Sequence, residues 1–373
     1  MLISHQKYQV LLLLIINYQL SKYGSHYLFN NSRIHINNSA GNAIPNSIIT
    51  VIKRKSNIMQ IPSFNRNFIL GAILLPGALI VSSCDNDDDA APVAPNTITK
   101  VVVDNNDFST LEAAVVRANL ATTLDDNTKA YTVFAPDNAA FTTAGITDVN
   151  TIPVADLSNI LLYHTLGSKV VAADVPAGPN AKVTTASGDS VFVTKNAAGI
   201  FVNGIKVKTG DVSATNGVIH VLENVLIPPS GNIVVTAQAN PQFSYLVAAV
   251  VRASTGTTNV ASVLSSGGPF TVFAPTNDAF IAAGFPTIAS INAADPNTLA
   301  GILTYHVVAG RVFSSNLTEG AQPITVNGGK VTVTLAGGAK VKGNANATAS
   351  NIVRTNIMAR NGVVHVIDRV LLP

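Results

Sequence analysis

Four histidines are the residues of this 373-residue chain that most invite a chemical interpretation. Histidine ligates metals and acts as a general base near neutral pH, so a recurring pair could do either. The four residues fall into two pairs at matching positions of an internal repeat, namely His164 with His220 and His306 with His365. The first of each pair ends a predicted helix, and the second stands among aliphatic residues in a strand pattern. We therefore interpret all four as structural histidines, and we expect no metal and no cofactor.

The densest group of carboxylates, DNDDDAAPVAPN at 85–96, resembles a calcium-binding loop only at its first positions. An EF-hand loop needs glycine at position six and glutamate at position twelve, where this chain has Ala90 and Asn96. The segment is interpreted as a solvated tether. Motifs such as G-x-S-x-G, H-E-x-x-H or a phosphate-binding glycine loop do not occur, and only 12% of the residues are charged. We expect no catalytic residues and no enzymatic activity.

The sequence contains one domain-sized unit twice. Four segments recur in the same order, at offsets that grow from 135 to 145 residues. The pairs are FSTLEAAVVRANL (108–120) and FSYLVAAVVRAST (243–255), YTVFAPDNAAF (131–141) and FTVFAPTNDAF (270–280), ILLYHTLGSKV (160–170) and ILTYHVVAGRV (302–312), and NGVIHVLENVLIP (216–228) and NGVVHVIDRVLLP (361–373). A period this long predicts two tandem domains and not a solenoid. We place the domains at 97–229 and 230–373.

The first recurring segment predicts an amphipathic helix. Ser109 and Glu112 match a capping box, in which each side chain accepts a backbone N–H of the first turn, although the second unit has Val247 in place of the glutamate. The apolar residues at helical spacing are Leu111, Ala114, Val115 and Ala118.

The other segments predict a strand, a second helix and a set of hairpins. TVFAP is a short β-type run that proline ends. Asp137 or Asn138, and in the second unit Thr276 or Asn277, can cap the helix that follows. LSNILLYH and LAGILTYH are helical in pattern. The Thr- and Val-rich stretches after them are broken by Gly and Asn, as in hairpins. This order predicts an α+β fold and not a parallel βαβ sheet.

Together these segments resemble the fasciclin domain. The resemblance rests on the TVFAP phrase, the YH pairs at 163–164 and 305–306, and the terminal NGV segments, and it covers essentially 100–373. It implies two tandem fasciclin-like α+β domains, each with helices packed on a β-wedge or sandwich, and a role in cell adhesion or extracellular-matrix attachment. In animal members the YH region is linked to integrin contact. Here we expect a structural role for the motif residues, namely Tyr163, His164, His220, Tyr305, His306 and His365.

The first 84 residues differ in charge from the rest. They contain seven Lys or Arg and no Asp or Glu, whereas the remaining chain has 16 basic and 20 acidic residues, a net charge of −4. Overall basicity is therefore no argument for nucleic-acid binding. Residues 59–84 combine Arg66, a 14-residue apolar run and VSSC, which resembles the lipobox of bacterial lipoproteins. We predict a signal peptide at 59–84, lipidation of Cys84 and a tether at 85–96. Residues 1–58 are interpreted as a mis-called extension, with a membrane anchor as the alternative.

The sequence thus predicts a lipid-anchored, monomeric protein of the cell envelope. Acidic residues after a lipidated cysteine resemble the export signal that places some Gram-negative lipoproteins on the outer surface of the outer membrane. The expected partners are the membrane, through the lipid, and an unknown surface protein or glycan, with no nucleic acid. One alternative is a carrier of a small apolar, pigment-like ligand in a groove near Phe243, Tyr245 and Phe285. The other is a structural spacer.

Overall fold

The computed structural model describes residues 25–30, 33–38 and 96–373. The predicted signal peptide, Cys84 and the acidic tether up to residue 95 lie outside the described residues. Two antiparallel strands are described near the start of the chain, β1 (Ser25–Asn30) and β2 (Arg33–Asn38). The part of the chain from residue 96 onward contains both repeats.

Each repeat places its helices around one early strand and ends in a series of hairpin strands. The helices of the first repeat are α1 (Ile98–Asp104), α2 (Ser109–Arg117), α3 (Ala121–Leu124), α4 (Asn138–Thr143) and α5 (Val154–Tyr163). Its strands are β3 (Tyr131–Pro136), β4 (Thr165–Leu166), β5 (Gly178–Thr184), β6 (Ser190–Asn196), β7 (Gly199–Val202), β8 (Ile205–Ala214) and β9 (Gly217–Leu222).

The second repeat follows the same order with shorter hairpin strands. Its helices are α6 (Ile233–Gln238), α7 (Ser244–Ala253), α8 (Val260–Ser266), α9 (Asn277–Ala282), α10 (Ile288–Ala293) and α11 (Pro296–Tyr305). Its strands are β10 (Phe270–Pro275), β11 (Val307–Ala309), β12 (Thr332–Thr334), β13 (Lys340–Lys342), β14 (Ser350–Ala359) and β15 (Gly362–Ile367). The architecture confirms the predicted α+β class.

A mixed sheet organises each repeat. The strand order is β4-β3-β9-β8-β7-β6-β5 in the first sheet and β11-β10-β15-β14-β13-β12 in the second. Neighbouring strands pair antiparallel, except that β3 runs parallel to β9 and β10 runs parallel to β15. Each parallel pair joins the TVFAP phrase to the terminal repeated segment. Two of the recurring phrases are therefore neighbours, second and third from one edge of each sheet.

Strand β3 is buried along its whole length, which explains its mainly apolar composition. Successive side chains of a strand point to opposite faces. Val133 and Ala135 accordingly join the core under the helices, whereas Phe134 joins a second core on the other face with Tyr163 and Leu166. Each sheet therefore packs against helices on one face and curls so that its own hairpin strands pack against the other.

The predicted strand, proline and capped helix are confirmed in both repeats. Asp137 has an extended backbone, and its side chain accepts a hydrogen bond from the N–H of Ala140 at 2.8 Å. Thr276 does the same for Ala279 at 3.3 Å. Asp and Thr are interchangeable here because both supply the oxygen that an orphan N–H of the first helical turn requires.

The predicted capping box of Ser109 and Glu112 is wrong. A 3-10 turn over Asn106–Phe108 leads directly into α2, so Ser109 already has helical torsion angles and does not cap the helix with its side chain. The cap comes from α4, where the side-chain oxygen of Asn138 accepts a hydrogen bond from the N–H of Thr110 at 3.0 Å. Asn277 caps α7 in the same way. A residue expected to start its own helix thus fixes the start of its neighbour.

Candidate functional site: the histidine-clamped loops and the interface between the repeats

The first histidine of each repeat joins a helix end to the last segment of its domain. The N–H of Leu226 donates to Nε2 of His164 at 2.9 Å, so Nε2 must be the unprotonated nitrogen. Nδ1 then carries the proton and donates to the carbonyl of Ile160 at 2.8 Å. His306 makes the equivalent pair of bonds. Burial lowers the pKa of both imidazoles to about 4, because the charged form would lose its hydration.

The tyrosine that precedes this histidine is also fully buried. The hydroxyl of Tyr163 donates to the carbonyl of Ser190 at 3.0 Å and accepts from the side-chain amide of Asn203 at 2.9 Å. Burial raises its pKa to about 12. Tyr305 is equally buried and donates to the carbonyl of Lys330. The YH pairs therefore face the interior in both repeats and present no surface to a partner.

The second histidine of each repeat holds a bulge in the sheet. Pairing of β8 with β9 shifts register after Thr209, and Asp211 adopts a positive φ of 57° there. The N–H of Asp211 donates to Nδ1 of His220 at 3.3 Å, and Nε2 of His220 donates to the carbonyl of Val170 at 2.9 Å. Bulges re-aim a strand locally, and this one is tied to a loop by an imidazole.

The corresponding bulge in the second repeat has the same partner. Asn356 lies at φ 62°, and its N–H donates to Nδ1 of His365 at 3.4 Å. Nε2 of His365 donates to the carbonyl of Val312 at 2.8 Å. Burial lowers the pKa of His365 to about 4. Among residues other than glycine, Asn and Asp most readily adopt the left-handed conformation, which explains their use at both bulges.

The bulge and its histidine fix one loop per repeat, which we call the clamped loop, residues 168–174 in the first repeat and 310–316 in the second. In the first, the side chain of Asp211 accepts the N–H of Ala172 at 2.8 Å, and the buried hydroxyl of Thr132 accepts the N–H of Val170 at 2.8 Å. Equivalent bonds hold the second clamped loop. Three side chains from three strands therefore position each loop.

Replacing His220 with alanine tests this arrangement. His220 is 4% exposed and stacks on Phe134 at 5.9 Å between ring centroids. Its loss leaves the N–H of Asp211 and the carbonyl of Val170 unpaired at a partly buried site, so we expect the first repeat to lose about 1–3 kcal/mol of unfolding free energy. Urea denaturation followed by circular dichroism measures this, and His220→Gln, which keeps a donor and an acceptor, should lose less. An unchanged midpoint for His220→Ala would reassign His220 as a surface residue.

The clamped loop of the second repeat contacts the first repeat. The guanidinium of Arg311 lies over the ring of Phe192 at 4.0 Å, and Phe313 packs against the same ring at 6.1 Å between centroids. Met358 of β14 completes this apolar cluster. The second Nη of Arg311 also donates to the carbonyl of Ala359 at 3.1 Å, which fixes the guanidinium in place.

Asparagine side chains add polar contacts across the same interface. The amide of Asn180 donates to the carbonyl of Arg311, and the amide of Asn196 donates to the carbonyl of Ser315 at 3.2 Å. The amide of Asn316 lies 3.4 Å from the hydroxyl of Thr194. Aromatic stacking and hydrogen bonds to backbone carbonyls together define one relative orientation of the repeats.

Three interface residues differ between the repeats, and this difference is the signal that sequence reasoning missed. Arg311 and Phe313 align with Lys169 and Val171 of the first clamped loop. Phe192 of β6 aligns with Thr332 of β12. Within a duplicated fold, an aromatic or arginine that appears in only one copy cannot be needed for the shared core. Its position therefore points to a surface with a separate use.

Each repeat also encloses a small apolar cavity beneath its first helices. The cavity volume is about 30 Å³ in the first repeat and about 90 Å³ in the second. Glu112 lines the first cavity, and Val247 lines the second at the equivalent position. Sites for small molecules usually measure about 300–1,000 Å³. Phe243, which the sequence placed near a groove, is fully buried in the core. Between residues 96 and 373, no group of three His, Cys, Asp or Glu side chains could hold a metal ion.

The fold and the clamped loops define a fasciclin-type domain pair. The fasciclin domain profile matches residues 106–228 and 241–373, and the chain belongs to the fasciclin family. The two matches together cover most of the chain, and they correspond to the two copies of the internal repeat. In the described part of the chain, no helix is both long and apolar enough to span a membrane.

Relatives match one or both repeats. Protein sll1483 of Synechocystis sp. is 41% identical over 142 residues, which is 38% of this chain and 73% of the relative. Transforming growth factor-beta-induced protein ig-h3 of Oryctolagus cuniculus is 28% identical over 249 residues, or 65% of this chain and 35% of that protein. A solved FAS1 domain pair from the insect cell adhesion molecule fasciclin I shares 18% identity, with a TM-score of 0.35, covering 72% of this chain and 98% of that one.

Proposed function

We propose that this chain is a lipid-anchored surface protein that mediates adhesion or another extracellular interaction through its two fasciclin domains. The observation that carries the proposal is the pair of fasciclin matches, which together span most of residues 106–373. The anchor is inferred from the lipobox-like VSSC at 81–84, and exposure on the outer membrane from the acids that follow Cys84. The proposal gives the chain no catalytic role.

The buried YH pairs move the expected contact surface elsewhere. Tyr163 and Tyr305 are both fully buried, and His164 and His306 use both ring nitrogens on backbone groups. A partner must therefore contact residues outside this motif. The interface between the repeats supports this view, because it fixes the outer surfaces of the two domains relative to each other and so preorganises them for binding.

Attachment of living cells tests the adhesion proposal. Cells that lack the chain should attach less well to one another or to a matrix-coated surface, and expression of the intact chain should restore attachment. A variant that ends at Pro228, and so lacks the second repeat, tests whether attachment requires both domains. Unchanged attachment without the chain would remove adhesion and leave the structural spacer as the remaining alternative.

The cavities beneath the first helices are too small for a pigment, which argues against carriage at that place in this conformation. An apolar pigment needs several times the roughly 90 Å³ found in the second repeat. Carriage would require α6 and α7 to separate, which would expose Leu246 and Leu264 of the core. We therefore keep adhesion as the single proposed function.

Replacing Cys84 tests the anchor. Cys84 is the only cysteine of the chain, so Cys84→Ser removes the sole thiol that could carry a lipid. We expect the variant to leave the membrane fraction and appear in the soluble fraction, because a lipid contributes about 0.8 kcal/mol for each buried methylene. Fractionation followed by immunoblotting measures this, with Ser83→Ala as the neighbouring control. Retention of Cys84→Ser after a carbonate wash would contradict lipid anchoring.

A further inference from the structure

A cleft of about 640 Å³ opens beside the interface between the repeats. One wall is the β5–β6 hairpin of the first repeat, with Lys182 and Asp189. The other wall is formed by loops of the second repeat, with Arg311 and Arg360. Three cations therefore meet one carboxylate in a cleft that exists only because the two domains pack together, although the chain beyond Cys84 is acidic overall. Domain interfaces are frequent locations of ligand sites.

Two of the three cations are exposed to solvent, although one of them, Arg360, also pairs with Asp189. Lys182 is exposed on β5, and the side chain of Arg360 is 64% exposed with its Nε 3.6 Å from Asp189, a distant contact. Arg311 has a different role, because its stacking on Phe192 fixes a positive charge at the back of the cleft. Its Nε is buried and has no hydrogen-bond partner among residues 96–373. A bound anion would neutralise the excess positive charge of these three cations and one carboxylate.

The walls favour a hydroxyl-rich ligand over a protein partner. Protein partners usually insert large side chains into desolvated apolar pockets. Here the two large apolar residues at the cleft, Phe192 and Met358, are already packed in the interdomain cluster. The rest of the surface is formed mainly by backbone, Gly, Pro and Ser, including Gly188 and Gly267. Such a surface offers hydrogen bonds and close approach to the backbone, which suit sugar rings.

We propose that this cleft binds an acidic polysaccharide, with Lys182 and Arg360 contacting carboxylate groups on successive sugars. The inference rests on the proposed extracellular role and names the chemical class of the partner. Cations contributed by two different domains to one cleft suit a polymer with repeating negative charges. Binding would also bridge the two repeats, so the ligand should stabilise their interface.

Binding of polygalacturonate to the purified full-length chain tests the proposal. The site variant is Lys182→Gln with Arg360→Gln. The matched control is Lys206→Gln with Arg354→Gln, which removes one exposed lysine and one exposed arginine from β8 and β14, outside this cleft. Calorimetry should show binding to the native and control chains, and binding at least about fivefold weaker to the site variant. Raising the ionic strength from about 0.01 to about 0.15 M should also weaken binding.

Four results would overturn the proposal. Equal binding of polygalacturonate and neutral dextran would remove the role of charge, and absence of binding to either would remove the site. Equal losses in the site and control variants would place the anion elsewhere. Stronger binding of poly-L-glutamate would assign the cleft to an acidic peptide. These measurements use purified protein, so they are independent of the attachment assay. If the chain supports attachment but does not bind polygalacturonate, the acidic polysaccharide is excluded as the partner and the adhesion proposal is unaffected.

Discussion

Lowering the pH from about 7 to about 4 is expected to reduce the free energy of unfolding of the second repeat by about 6 kcal/mol. The reason is that His306 and His365 are both buried as neutral imidazoles. Their pKa values are lowered from an ordinary 6.5 to about 4, because burial removes the hydration that the charged form requires. The effect would consume much of the 5–15 kcal/mol by which a typical domain is stable.

The direction follows from where protons bind. Between pH 6.5 and pH 4 the unfolded chain takes up a proton at each of these histidines and the folded domain does not, so stability falls as the pH falls. Each histidine contributes about 3 kcal/mol across this window. Although burial opposes its ionisation, hydrogen bonds from Asn351 and Ser350 hold the pKa of Asp368 below its ordinary 3.8. Its contribution is therefore lost only below about pH 4, outside the window.

Urea denaturation at several pH values measures the effect. The chain has no tryptophan, so circular dichroism and hydrogen exchange are the suitable signals, and exchange assigns the loss to a repeat. In the first repeat, His164 with a pKa of about 4 should give a loss of about 3 kcal/mol. The variant His306→Gln with His365→Gln should show a flatter pH dependence, whatever its stability at pH 7. A native second repeat whose stability is constant from pH 7 to pH 4 would contradict the neutral buried state.

Replacing Phe192 with alanine is expected to uncouple the two repeats. Phe192 contacts both Arg311 and Phe313, so its loss removes the stacking surface for the whole second clamped loop. Truncation of a fully buried phenylalanine costs about 3–5 kcal/mol, and for this half-buried ring we expect about 2 kcal/mol of interface free energy. Thermal unfolding should then separate into two transitions, and small-angle scattering should show a larger radius of gyration.

The control for this experiment is Phe201→Ala. Phe201 lies on β7, adjacent to β6 in the same sheet, is also half-buried, and stands outside the interdomain cluster. It should lower the stability of the first repeat without changing the separation of the transitions. If Phe201→Ala and Phe192→Ala have the same effect on scattering, the interface does not depend on the aromatic stack.

Short-range patterns accounted for the elements of the fold. The TVFAP strand, the cap at Asp137 and the helix before His164 were all predictable, because each depends on residues within a few positions of one another. The capping box at Ser109 was wrong because the competing cap, Asn138, comes from another helix. A side chain that arrives through the tertiary fold cannot be read from the local pattern.

The candidate site was less predictable than the fold. The histidines could be located and assigned to a helix end and a strand, but their partners depend on long-range packing. The bulge at Asp211 is an example, since its left-handed backbone follows from a register shift against β9 that no local motif specifies. The contact of Arg311 with Phe192 requires the orientation of two domains. Only the difference between the aligned repeats, such as Phe192 against Thr332, marks these positions in advance.

The contact between the repeats joins two different faces of one fold, so its geometry is heterologous. Heterologous contacts that recur from molecule to molecule generate open filaments unless something terminates them. The free face of the first repeat has Lys169 and Val171 where the contact uses arginine and phenylalanine, and the free face of the second has Thr332 in place of Phe192. Neither free face has the arginine and the two aromatic rings of this stack, so a second copy of the chain cannot add to the pair through the same contact.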